Sequence, residues 1–139
     1  MSPRLILSRG SVLWLGVCLL VGSAGIWAGQ DKSANDGVYS ETQAIRGETL
    51  FERNCTNCHD TARFKGDFIG NWADQPLAAV YDVMKTTMPE DNPGSLRPQQ
   101  YADILTFILK LNGFPAGETE LAGTDAAMKA VRLEKPTPR

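Results

Sequence analysis

The sequence predicts an all-α domain of three main helices. Two stretches, residues 41–54 and 98–112, repeat their apolar side chains at the three- and four-residue spacing of one helix face. Each is bounded by residues that start or stop helices. No stretch shows the apolar–polar alternation of a half-buried strand. The domain is expected over residues 40–114 of a 139-residue chain. A core of that size is limited and often leans on a metal or covalent cofactor as a staple.

The N-terminal segment is set apart by composition. Arg4 and Arg9 precede the apolar run from Ser11 to Val21, and small residues follow at Gly22, Ser23, Ala24, Gly25, Ala28 and Gly29. A basic start, an apolar middle and a small-residue exit make a secretory signal over residues 1–28, cut after Ala24 or Ala28. The rival reading is an uncleaved membrane anchor, since residues 11–28 could just span a bilayer. Cys18 is then filling of the apolar run. Without Arg4 and Arg9 the 14 basic residues fall to 12 against 16 acidic, a net charge of −4. No basic stripe offers a nucleic-acid surface.

Residues 29–39 are polar and expected as a flexible lead. Ser40 is a good N-cap for the helix at 41–54, with Gln43 placed to complete a capping box. Ala44, Gly47, Leu50 and Phe51 share one face. Gly47 in mid-helix costs about 1 kcal/mol against Ala, which points to close approach of another helix. Residues 61–74, with Gly66, Gly70 and Asn71, read as loop, with Phe64, Phe68 and Trp72 as apolar walls. A middle helix is expected over residues 75–86, with Pro76 in its first turn. Residues 98–112 start at Pro98 and stop before Gly113. Their face carries Tyr101, Ile104, Leu105, Ile108 and Leu111, and Phe107 and Ile108 are expected against Gly47 and Phe51. Residues 115–139 form a C-terminal extension with a short helix at 125–131. It is either a surface strap with a frayed tip or a docking arm.

The chemistry lies at Cys55-Thr56-Asn57-Cys58-His59. A Cys-x-x-Cys-His run is the attachment signal for c-type haem. On a helical turn two cysteines three apart face one side. They can add to the two vinyl groups on one haem edge, and the next residue, His59, can bind iron. An exported pair could instead form a disulfide. Zinc would want four Cys or His ligands, yet the chain has one histidine and, after export, no third cysteine. A thioredoxin-like pair would need a βαβ context. Covalent haem c, one per chain, is therefore the expected cofactor.

With one histidine, a second imidazole ligand is excluded within the chain. The remaining soft donors are Met84, Met88 and Met128. Pro89 pushes Met88 towards an extended conformation, which suits a thioether presented from a stiff loop. Met84 lies one turn earlier on an apolar face with Leu77, Val80 and Tyr81, where methionine is a common gap-filler. Met128 lies in the extension. Cofactor binding is thus assigned to Cys55, Cys58, His59 and Met88, with His59 and Met88 on the metal. Met84 is the alternative. Two protein ligands close the iron and favour the ferrous form. No catalytic residue is assigned: the chain reads as an electron carrier and not an enzyme.

The pattern Gly47, Phe51, Cys55-x-x-Cys-His59, Met88-Pro89, Phe107-Ile108 resembles class I cytochrome c over about residues 40–114. The words Met88-Pro-Glu-Asp-Asn-Pro-Gly-Ser-Leu96, Tyr101-x-Asp-Ile-Leu105 and Asn112-Gly-Phe-Pro-Ala-Gly117 are similar to cytochrome subunits that accompany PQQ-dependent alcohol and related dehydrogenases. That resemblance implies three main helices around one haem and Met88 as distal ligand. It also implies a periplasmic place between a quinoprotein dehydrogenase and a terminal oxidase or other cytochrome. Other readings are a haem enzyme or gas sensor in which Met88 dissociates, a stand-alone shuttle to an oxidase, and an assembly module with structural haem.

Overall fold

The computed structural model describes residues 32–137. The signal or anchor at 1–28 and the first residues of the lead lie outside them. Among the described residues no helix is long and apolar enough to cross a membrane.

Five helices carry the fold: α1 (Glu41–Asn54), α2 (Asp67–Gly70), α3 (Leu77–Thr87), α4 (Pro98–Leu111) and α5 (Asp125–Lys129). Three of them exceed ten residues. Short 3-10 turns span Ala34–Asp36 and Thr61–Phe64, so part of the expected loop at 61–74 is helical. α4 begins with Pro98 at its first position, and Gly113 beyond its end takes a left-handed φ of 84°. The Ser40 side chain accepts the Gln43 N–H at 3.1 Å, which starts α1 as expected.

The capping box is only half made, because Gln43 turns inward. Its amide is fully buried. It donates to Asp103 Oδ1 at 3.0 Å and to the Leu121 carbonyl at 2.8 Å, and accepts the Leu121 N–H at 2.7 Å. Arg46 brackets the same Asp103 carboxylate and also reaches Glu120. Burial by itself would push the Asp103 carboxyl up, but hydrogen bonds from Arg46, Gln99 and Gln43 together hold it below the usual range.

α1 and α4 pack at Gly47. A Cβ there would lie 1.8 Å from the Asp103 carbonyl oxygen and 3.1 Å from the Ile104 nitrogen. The contact is one turn earlier in α4 than the expected Phe107 and Ile108, because a residue without a side chain meets backbone. One turn further along both helices Phe51 meets Phe107, ring centroids 5.4 Å apart.

A small sheet corrects the all-α expectation. β1 (Lys32–Ser33), β2 (Gln75–Pro76) and β3 (Val131–Leu133) lie in the order β1-β3-β2. β3 runs parallel to β1 and antiparallel to β2. Strands of two or three residues are too short to display a period of two. The sheet also shifts the start of the middle helix. Gln75 and Pro76 pair with β3, so Pro76 caps α3 instead of entering its first turn. Residues 32–39, expected to be flexible, are built in. Ala34 and Tyr39 are fully buried, and the Tyr39 hydroxyl donates to the Phe114 carbonyl at 2.7 Å. The extension is likewise packed: Leu121, Met128, Val131 and Leu133 are buried. Its helix stops at Lys129, two residues short of the expected end, where β3 takes over the chain.

Candidate cofactor-binding site

α1 ends in a tight turn that gathers the motif. The Cys55 N–H donates to Phe51 at 2.8 Å, the last bond of the helix. The Cys55 carbonyl then accepts from both Cys58 N–H at 3.1 Å and His59 N–H at 2.9 Å. One acceptor thus folds the five residues into a single turn. Asp60 stops it by capping the next 3-10 turn through Ala62 N–H. Cys55 is half-buried and Cys58 is exposed. Burial pushes the Cys55 thiol up to about 11, so it stays protonated at neutral pH.

Cys55, Cys58 and His59 open on a cavity of 540 Å³. That volume lies within the range of about 300–1,000 Å³ usual for cofactor sites. Its walls include Phe51, Phe64, Phe68, Trp72, Val80 and Ile104. The expected wall residues from the 61–74 segment are therefore all present. Phe64 sits edge-on to His59, centroids 5.5 Å apart, and edge-on to Phe51 and Phe68. This packing fixes the imidazole plane. The same cavity is reached by Met84 and Met88. Met88 has φ −122° and ψ 150°, the extended conformation expected before Pro89. The Met88–Pro89 peptide is cis. Met128 is buried elsewhere and does not line this cavity.

His59 Nδ1 is the one buried side-chain polar atom among the described residues without a partner. An unpaired buried polar group costs about 1–3 kcal/mol. This imidazole therefore still has a bond to make. Among the described residues no three His, Cys, Asp or Glu side chains are arranged to hold a metal ion by themselves. One imidazole, two thioethers and two thiols around an apolar cavity are instead a donor set that fits haem. His59 with Met88 or Met84 could hold the iron, and Cys55 and Cys58 the macrocycle.

Two supporting residues were not assigned from the sequence. The Tyr101 hydroxyl donates to the Met88 carbonyl at 2.6 Å, and Gly94 N–H reaches the same oxygen at 3.4 Å. With Met88 N–H on Met84 carbonyl at 3.0 Å, the backbone of Met88 is held at both ends. The available signal was a tyrosine on an otherwise aliphatic helix face, because a buried hydroxyl needs a partner. Asn112 is the second. Its amide donates to the carbonyls of Phe64 and Ile108 and accepts Gly66 N–H. It ties the end of α4 to the loop that carries Phe64.

Comparison with known proteins places this geometry. Residues 42–108 match the family model described as cytochrome C oxidase, cbb3-type, subunit III. No curated protein and no solved structure matches the chain. The matched residues include Cys55, Cys58, His59, Met88 and Tyr101. The match is to a cytochrome c domain, and this likeness supports a class I c-type cytochrome with covalent haem c, electron transfer and redox protein partners.

Proposed function

We propose that this chain is a periplasmic monohaem c-type cytochrome that takes single electrons from a quinoprotein (PQQ-dependent) dehydrogenase and passes them towards a terminal oxidase or another cytochrome. The observation that carries this reading is the convergence of Cys55, Cys58, His59 and Met88 on one apolar cavity. Cys55 and Cys58 would hold the haem through thioether bonds, and His59 and Met88 would hold its iron. When bound, haem supplies a ferric–ferrous couple that accepts and returns one electron.

The chain's own residues suit that task. With both His59 and Met88 on the iron, no position would be left for a small molecule. A soft thioether favours the ferrous state, and apolar walls such as Phe64, Phe68 and Trp72 exclude water and raise the potential further. Cys58 is exposed, so its attachment lies where a partner can approach. Export rests on the N-terminal segment. The dehydrogenase rests on the words at 88–96, 101–105 and 112–117. A second reading, a stand-alone shuttle to an oxidase, is favoured by the oxidase description of the matched family.

Met88→Ala tests the ligand set. It should abolish the far-red sulphur-to-ferric-iron absorption band while haem stays attached. Survival of the band would overturn the assignment of Met88 and leave Met84 as the ligand. Carbon monoxide tests the carrier reading. The native reduced protein should bind it poorly, and ready binding would favour the enzyme or sensor reading.

A further inference from the structure

The segment from Leu121 to Glu134 lies outside the matched residues 42–108, yet it grips the helix that leads into Met88. α3 has 11 residues, too short to stand alone in water. Its N-terminal end is held by β3. Asp74 N–H donates to the Leu133 carbonyl at 2.7 Å, Arg132 donates back to the Asp74 carbonyl at 2.8 Å, and β2 pairs with β3. Its middle is held through Tyr81. That hydroxyl is shared between the carbonyls of Pro98 at 3.0 Å and Gly123 at 3.1 Å. Its C-terminal turn is held by Lys85 on Asp125 at 3.0 Å. Met88 follows one turn later.

The segment also covers the start of α4. A Cβ on Gly123 would lie 2.6 Å from the Gln99 nitrogen and from the Pro98 carbonyl. Gln99 holds Gly123 N–H and the Leu121 carbonyl. Tyr101, which binds the Met88 carbonyl, stands two residues further on. One segment therefore fixes both elements that fix Met88. Its anchors are Met128, Val131 and Leu133, exposed by 0%, 3% and 1%. The Lys85–Asp125 pair is exposed, and such pairs add little by themselves.

We infer that residues 121–134 are a clamp on α3 and on the start of α4 that sets the strength of the distal Met88 ligand, with Met128 and Tyr81 as positioning residues. The inference rests on Met88 ligating haem iron. Loosening the clamp raises the population in which α3 has moved and the thioether has left, without unfolding the His59 side.

The test is carbon monoxide association with the reduced, haem-loaded full chain, read beside the far-red band of the oxidised form. Met128→Ala should speed association about tenfold, equivalent to about 1.4 kcal/mol of distal opening. It should also bleach the far-red band at lower temperature while the covalent haem spectrum persists. Met128→Leu, close in volume, should restore both readouts. Tyr81→Phe should move them in the same direction by less, and it carries the test if Met128→Ala does not fold. Phe114→Leu, at a buried site away from α3, is the matched control. It should lower global stability and leave carbon monoxide association unchanged. Equal acceleration in Phe114→Leu and Met128→Ala, or none in Met128→Ala and Tyr81→Phe, overturns the clamp. Absence of the far-red band from the unmutated protein overturns the Met88 ligation itself, and the clamp with it.

Discussion

Gly47→Ala is expected to destabilise the protein although alanine is the better helix former. Helix propensity alone would gain about 1 kcal/mol. The new methyl carbon, however, would lie 1.8 Å from the Asp103 carbonyl oxygen and 2.5 Å from its carbon. The obstacle is the backbone of α4, so no rotamer change relieves it. α1 and α4 must part by more than 1 Å to restore an ordinary contact, which is tighter than 3.4 Å only rarely. Overpacking of this kind costs about 1–3 kcal/mol and occasionally more. Parting also strains the buried Gln43–Asp103–Leu121 bonds, where one unsatisfied group costs about 1–3 kcal/mol. The net expectation is a loss of about 3 kcal/mol. Small domains have only about 5–15 kcal/mol in hand. Urea unfolding of the haem-loaded protein, followed by far-ultraviolet circular dichroism, should show a lower midpoint at unchanged slope. A variant as stable as the parent, or more so, would refute the close approach of α1 to α4.

Three further outcomes are expected. Tyr101→Phe removes the donor to the Met88 carbonyl and should weaken the far-red band and raise carbon monoxide reactivity with little change in helix content; an unchanged band would show that Gly94 N–H alone holds Met88. Asn112→Ala deletes two hydrogen bonds between the end of α4 and the Phe64 loop and one back to Ile108 within α4, and should cost about 2 kcal/mol in urea; a loss below about 0.5 kcal/mol, the range of neutral surface changes, would contradict that tie. The lowered Asp103 carboxyl stabilises the fold above the unfolded pKa of about 3.9, and that share is lost as pH falls through the lower folded value. The stability gap between the parent and Asp103→Asn should therefore be full near neutrality and shrink below about pH 4, and a gap that stays constant or widens on acidification would contradict the assignment.

What could be read from the sequence is what is local in it. The turn at Cys55–His59 needs five consecutive residues and one carbonyl. Ser40, Pro98 and Gly113 mark helix ends by their own chemistry, and α4 shows its apolar face over four turns. The extended conformation of Met88 follows from the proline beside it. What could not be read is made by distant partners. Lys32 pairs with Val131 across almost the whole domain, and neither strand is long enough to announce itself. Gln43 has the right place for a capping box, but a buried carboxylate and the Leu121 backbone outbid the helix end for its amide. The lead at 32–39 is mostly polar, and the three side chains that bury it, Ala34, Val38 and Tyr39, have no periodic spacing.

The same division runs through the site. The His59 side is built within one turn and braced by Phe64. The Met88 side is held by α3, by Tyr101 from α4 and by the extension, all remote in sequence. Contacts of that kind open independently of the rest of a fold. Substitutions far from the cavity can therefore change how firmly Met88 is held while leaving Cys55, Cys58 and His59 undisturbed. If Met88 ligates haem iron as proposed, those remote contacts would tune the potential, because a thioether ligand raises it. A match confined to residues 42–108 contains the Cys55–His59 turn and Met88 but leaves out the segment that grips α3, so on the proposed ligation the potential would depend on residues that the match does not reach.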